Sequence, residues 1–221
     1  MKKILIGTAL SLAAMMQAQI DFSATRFGLT AGGTYSRIQN AHNPSGPRYS
    51  VMAGALALTP IGTDDQFYIQ TEVLYFGAGE GGDKSVEDKK GWPHAVYANN
   101  YLSIPISFKT YFSENESEFF ALAGPRFDFM INQNDKNPPP GKEYYSADSY
   151  GKAAKFNLGV GAGVGYSYKR QWEITARYDI HLMNVYPHLK DSVTEQGTKD
   201  PSVYSKKSEH IINVGISYIF Q

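Results

Sequence analysis

The sequence predicts an all-β fold: an eight-stranded antiparallel up-and-down transmembrane β-barrel with short periplasmic turns and long extracellular loops. Three observations predict it. Stretches alternating with period two recur along the chain, and the connections between them alternate long and short. The residues are also rich in strand and turn formers, with 16 Tyr, 12 Phe and 21 Gly. Nothing after residue 20 reads as a long amphipathic helix.

The first stretch, Arg26 to Ile38, sets Phe27, Leu29, Ala31, Gly33 and Tyr35 against Gly28, Thr30, Gly32, Thr34 and Ser36. The second, Tyr49 to Leu58, is small and apolar on both faces, so its register stays open. The third, Phe67 to Phe76, opposes Ile69, Thr71, Val73 and Tyr75 to Gln70 and Glu72. The fourth, Tyr101 to Phe112, places Leu102, Ile104, Ile106 and Phe108 opposite Ser103, Ser107 and Lys109. In the fifth, Phe119 to Ile131, an aromatic and alanine face backs onto Arg126 and Asp128. The sixth, Phe156 to Tyr168, sets an apolar face against a stripe of Gly159, Gly161, Gly163 and Gly165. The seventh, Trp172 to Met183, carries Glu173, Arg177, Asp179 and His181 on its polar side. The eighth, His210 to Phe220, sets Ile212, Val214, Ile216, Tyr218 and Phe220 against Asn213, Gly215 and Ser217. Pro105 and Pro125 fall inside strands, and every strand of a closed barrel is central, so each calls for a bulge or a shifted boundary.

The orientation of the two faces follows from volume. A soluble barrel would have to bury all the bulky residues in an interior with room for one packed set of side chains or one small ligand. Turned outward, those residues meet lipid, and the interior takes the charge network Glu72, Lys109, Arg126, Asp128, Glu173, Arg177 and Asp179. Aromatic residues near the span ends, such as Tyr35, Tyr75, Trp172 and Phe220, suit interfacial girdles. Closure is required because no open sheet edge can face hydrocarbon. The alternative is a secreted lipocalin-like ligand carrier.

Lys2 and Lys3 precede the apolar run Ile4 to Met16, which is shorter than the roughly 20 residues of a spanning helix. This reads as a signal peptide over residues 1–18, followed by a single barrel domain over 19–221. Lys plus Arg and Asp plus Glu are both 21, which excludes the basic excess of a nucleic-acid binder. Cysteine is absent, which removes disulfides, thiol catalysis and Cys-ligated metals.

Several segments in order carry a family resemblance: FGLTAGGTYS (Phe27–Ser36), LSIPISFKTYF (Leu102–Phe112), FALAGPRFDF (Phe120–Phe129), LGVGAGVGY (Leu158–Tyr166), ITARYDI (Ile174–Ile180) and VGISYIF (Val214–Phe220). In these the chain resembles the PorT-like outer-membrane beta-barrel proteins of the Bacteroidetes. The resemblance implies residence in the outer membrane of a Gram-negative cell. It also implies a last strand whose Tyr218 and Phe220 are read by the outer-membrane assembly machinery, although Gln221 here follows the usual terminal aromatic. The family's namesake is associated with protein secretion and gliding, whereas most relatives look like plain barrels.

The sequence offers no catalytic residue set, no metal site and no cofactor motif. The five histidines lack metal-pair spacing, and the Gly159–Gly165 alternation leads to no phosphate-binding helix. His181 with Asp179 is the nearest approach to an acid/base pair, read against a structural polar contact at the rim. Glu72, Arg126 and Arg177 form the main charged constellation, read as a salt-bridged plug or an ion path. The segment Asn132 to Lys152 carries Pro138, Pro139 and Pro140 before Tyr144, Tyr145 and Tyr150, a loop tip suited to a protein partner or an ordinary surface loop. The expected function is a small non-enzymatic barrel with a side-chain-filled lumen and a structural, accessory or loop-binding role. A secretion-machine component and a rim-located lipid-modifying enzyme are the alternatives. The expected partners are outer-membrane lipid, the assembly machinery and a protein at the outer loops.

Overall fold

The computed structural model describes residues 22–42, 45–62, 65–140, 151–189 and 205–220. The expected signal peptide, the loop tyrosines Tyr144, Tyr145 and Tyr150, and Gln221 lie outside the described residues. After a short 3-10 turn (Phe22–Ala24) come β1 (Arg26–Ile38), β2 (Gly46–Pro60), β3 (Phe67–Gly81), the helix α1 (Lys84–Lys90) and β4 (Val96–Tyr111). They are followed by β5 (Glu118–Lys136), β6 (Phe156–Tyr168), β7 (Trp172–His181) and β8 (Glu209–Ile219). Each strand pairs antiparallel with the next, and β1 closes on β8 from Gly28↔Ile219 to Ile38↔Glu209. The result is a closed eight-stranded barrel. No helix among the described residues is long and apolar enough to cross a membrane.

The alternation sorts the side chains as expected. Leu29, Val164 and Ile216 are 57%, 60% and 56% exposed, while Glu72 and Arg177 on the opposite face are 4% and 5% exposed. Such an exterior suits acyl chains, and aromatic pairs mark its two rims. Tyr35 and Tyr49 meet edge-on at 5.2 Å at the long-loop end, and Trp172 and Tyr218 lie 4.8 Å apart at the short-turn end.

The structure settles the open register of β2. Met52, Leu56 and Leu58 point inward and Val51, Ala53 and Ala55 outward. The interior is therefore more apolar than the polar faces alone suggest. Leu56, Leu58, Tyr68, Tyr111, Phe120, Leu122 and Ile219 pack at the short-turn end. Met52, Leu74, Phe76, Ala78, Tyr101 and Ile211 pack toward the other.

Neither proline introduces a bulge. The β3–β4 pairing keeps one register from Thr71↔Ile106 to Leu74↔Ser103, and β4–β5 keeps one from Pro105↔Arg126 to Phe108↔Ala123. Each proline opens a short gap on the single side where its N–H is missing, and the ladder resumes in phase. Beside Pro125, a Cβ on Gly124 would stand 2.0 Å from the Ile106 carbonyl, so the strands remain in close approach across that gap.

Strands β3, β4 and β5 run further than their alternation suggested. Above a register shift at Asn100/Tyr101 the β4–β5 ladder continues to Val96↔Lys136, beyond the lipid-facing apolar stripe. Between β3 and β4, Asp83 caps α1 by accepting from the Ser85 and Val86 N–H groups, and Gly91 ends it at φ 66°. Over this end, Ile38, Ala41, Ala95, Tyr97, Ala153, Val185, Tyr186 and Leu189 form an apolar cap.

Candidate functional site

The largest polar assembly lies inside the barrel. On β7 the two-residue period turns Arg177, Asp179 and His181 to one face, and on β5 it does the same for Arg126 and Asp128. Closure carries β3 to the opposite wall from β7, so Glu72 reaches across the lumen to Arg177.

Arg177 Nη1 lies 2.9 Å from Glu72 Oε1, and Arg177 Nε lies 3.5 Å from Asp179 Oδ2. Arg126 Nη1 lies 2.9 Å from the same Asp179 oxygen. The other nitrogens of Arg126 grip Asp128, Nε to Oδ2 at 2.9 Å and Nη2 to Oδ1 at 3.0 Å. Asp128 Oδ2 in turn meets His181 Nε2 at 2.6 Å, and His181 Nδ1 lies 3.1 Å from Glu209 Oε2. Every member is at most 5% exposed.

Four carboxylates thus face two guanidiniums and one imidazole. Neutral donors supply the remainder. Gln70 donates to Glu72 at 3.0 Å, Asn213 to Asp179 at 2.6 Å, and Tyr101 and the Gly79 N–H to Glu209. Arg126 also donates to Ser103 Oγ at 3.0 Å and covers the Phe76 ring at 4.3 Å. Buried charges need this degree of pairing, because desolvation costs several kcal/mol per ion.

A second pair sits nearer the short turns. Lys109 Nζ lies 2.5 Å from Glu173 Oε2, and Tyr111 donates to Glu173 Oε1 at 2.5 Å. The glycine stripe of β6 makes room for these long side chains. A Cβ on Gly161 would stand 1.9 Å from Asp179 Oδ1, and one on Gly165 would stand 2.3 Å from the Phe120 ring. The interior cavity between Thr30, Met52, Glu72, Leu122, Arg177 and Asn213 measures about 10 Å³, the threshold for a single water.

Of the seven charged residues singled out from the sequence, Glu72, Arg126, Asp128, Arg177 and Asp179 join one chain of contacts, and Lys109 with Glu173 forms a separate pair. His181 does not pair with Asp179. It bridges Asp128 and Glu209 and is fully buried. Sequence reasoning missed Glu209, which lies one residue before the start read for the last strand. Its odd-numbered parity with Asn213 and Ser217 was the available signal. Tyr218 and Phe220 point outward on the same face, 5.6 Å apart, and the Phe220 N–H donates to the Phe27 carbonyl.

Beneath the outer cap, His42 stacks on Tyr97 at 3.5 Å and bonds Glu80, while Asn99 donates to the Tyr186 hydroxyl at 3.1 Å. Burial pushes the Tyr186 phenol well above its ordinary pKa, helped by the nearby Glu80, Asp135 and Glu209 carboxylates. Among the described residues, no group of three or more His, Asp or Glu side chains is arranged to hold a metal ion.

Solved structures to which the chain is similar include Ail, the attachment invasion locus protein of Yersinia pestis. It is 10% identical with a TM-score of 0.42, over 88% of this chain and 98% of that one. Neisserial surface protein A is 13% identical with a TM-score of 0.44, over 88% and 97%. The outer membrane enzyme PagL is 10% identical with a TM-score of 0.40, over 86% and 98%. The comparison with curated proteins gives no match. The family described as outer membrane protein beta-barrel domain matches residues 17–186, most of the chain. With a closed barrel whose lipid-facing stripe is apolar and whose lumen holds a buried charge network, the chain belongs to this family of outer-membrane β-barrels.

Proposed function

We propose that this barrel is non-enzymatic and closed to diffusion by its own side chains, with a structural or accessory role and recognition through its outer loops. The observation that carries the reading is the run of contacts from Gln70 through Glu72, Arg177, Asp179, Arg126, Asp128 and His181 to Glu209. It spans the lumen between opposite walls, with apolar layers toward both ends. An eight-stranded interior is the size that side chains can fill. The position of His181 supports the absence of catalysis, since both ring nitrogens face carboxylates and the side chain is out of reach of solvent. Residues 1–18 would direct export, and Tyr218 and Phe220 would be read by the assembly machinery. Tyr144, Tyr145 and Tyr150 would offer a protein partner an aromatic tip. The PorT-like segment order supports kinship with the plain barrels of that group.

Planar-bilayer recording tests the reading. The protein is expected to give no steady conductance, and the double substitution E72A/R177A is expected to introduce discrete steps by removing the contact that crosses the lumen. Steady conductance of the unaltered protein would overturn it.

A further inference from the structure

Outside the barrel, at the long-loop rim, two adjoining clefts flank Lys84. The first, about 430 Å³, is lined by Arg37, Ser45, Pro47, Tyr49, Lys84 and Ser85 among others. The second, about 360 Å³, shares Pro47, Tyr49, Gly82 and Lys84 and adds Arg48 and His94.

Their charge is positive for a structural reason. Arg37 occupies an outward position on β1, two residues beyond Tyr35, so it stands just above the Tyr35–Tyr49 aromatic pair that marks the membrane boundary. Among the described residues, no carboxylate lies within ion-pairing distance of Arg37 or Lys84. Asp83, the acidic residue in the lining, is turned onto the Ser85 and Val86 N–H groups. His94 is already held by Asp88 at 2.9 Å, and Arg48 donates to the Ala78 carbonyl. Arg37 and Lys84 are therefore the two cations left to face a ligand. Arginine on a lipid-facing stripe is costly at mid-membrane but nearly free at the interface.

We infer that the Arg37–Lys84 cleft binds the phosphate of an outer-leaflet lipid, with the guanidinium and the ammonium gripping the headgroup and the acyl chains lying along Tyr49 and Val51. Tyr49 and Val51 continue the cleft toward the membrane and are 75% and 60% exposed. The volume favours a phosphorylated headgroup over a bare ion. At about 430 Å³ the cleft is larger than a single phosphate ion needs and leaves room for the rest of a headgroup. Arginine recognises phosphate through paired N–H donors and lysine through a compact charge.

The test is calorimetric titration of the protein, purified from membranes and held in dodecyl maltoside, with dihexanoyl phosphatidic acid. Saturable binding is expected that weakens with added salt, falls at least tenfold in R37Q/K84Q and is unchanged in K169Q, a cation at the opposite rim. Heat-modifiable migration on a gel checks that each variant is folded. If the double variant does not fold, R37Q and K84Q singly carry the test, each with an expected loss of several-fold. Dihexanoyl glycerol, which lacks the phosphate, is expected not to bind. Undiminished binding in the folded variants, or no saturable binding at all, overturns the site. Inorganic phosphate binding as tightly as the lipid would make it a free-anion site and overturn the lipid assignment.

Discussion

His181 Nε2 lies 2.6 Å from Oδ2 of Asp128, in full burial, while the other nitrogen of the ring lies 3.1 Å from Glu209. The imidazole stands between these two carboxylates and gives each a ring nitrogen. In H181F the carboxylates would face each other without it. Breaking a buried ion pair from one side costs about 3–5 kcal/mol. Urea unfolding in lipid vesicles, followed by tryptophan fluorescence, is expected to show a loss of that order, and E209Q added to H181F is expected to recover part of it.

Lys109 and Glu173 allow a cleaner comparison, because their pair stands apart from the larger network. K109M leaves Glu173 with only the Tyr111 hydroxyl, and a loss of about 3–5 kcal/mol is expected. K109M/E173L removes both charges and is expected to unfold within roughly 1–2 kcal/mol of the unaltered protein, since apolar replacement of a buried pair is often neutral. Equal losses in the single and double variants would contradict this.

Two glycine substitutions should behave oppositely. In G161A the new Cβ would stand 1.9 Å from Asp179 Oδ1 and push that carboxylate off Arg126 and Arg177. In G33A the nearest heavy atom is the Ser50 carbonyl oxygen at 3.9 Å, on the lipid side. The temperature at which folded migration on a gel is lost is expected to fall for G161A, consistent with overpacking of about 1–3 kcal/mol, and to stay unchanged for G33A.

Tyr186 links the outer cap to alkaline pH. Its phenol holds its proton to a higher pH folded than unfolded, because burial and the nearby carboxylates disfavour the phenolate. Its contribution to cap stability is therefore full below the unfolded value near 10 and is lost as pH rises through the folded one. Titration followed at 295 nm is expected to show fewer tyrosines ionising near pH 10 than in the denatured protein, with Tyr186 among the buried ones withheld. Y186F is expected to leave that early phase unchanged and to flatten the fall of cap protection above it.

Much of the barrel is local enough to read residue by residue. Successive strand side chains point to opposite faces whatever the strand pairs with, so Leu29 and Ile216 could be placed outward, and Arg126 and Asp179 inward, without knowing a single partner. Boundaries failed where that contrast fades. Asn132–Lys136 lies beyond the apolar stripe, where both faces are polar although β5 continues. In β2 both faces are small and apolar, and only pairing with β1 and β3 selects Met52, Leu56 and Leu58 for the interior.

Partnership inside the lumen was of another kind. Arg177 meets Glu72 across 105 positions of chain because closure and strand stagger bring opposite walls to the same height. The same stagger gives His181 to Asp128 and Glu209 rather than to Asp179, its neighbour on the strand. The alternation of single strands told inside from outside, because it is built into the backbone. The pairing of the charges came from the closed sheet, because it depends on how far each strand slides past the next.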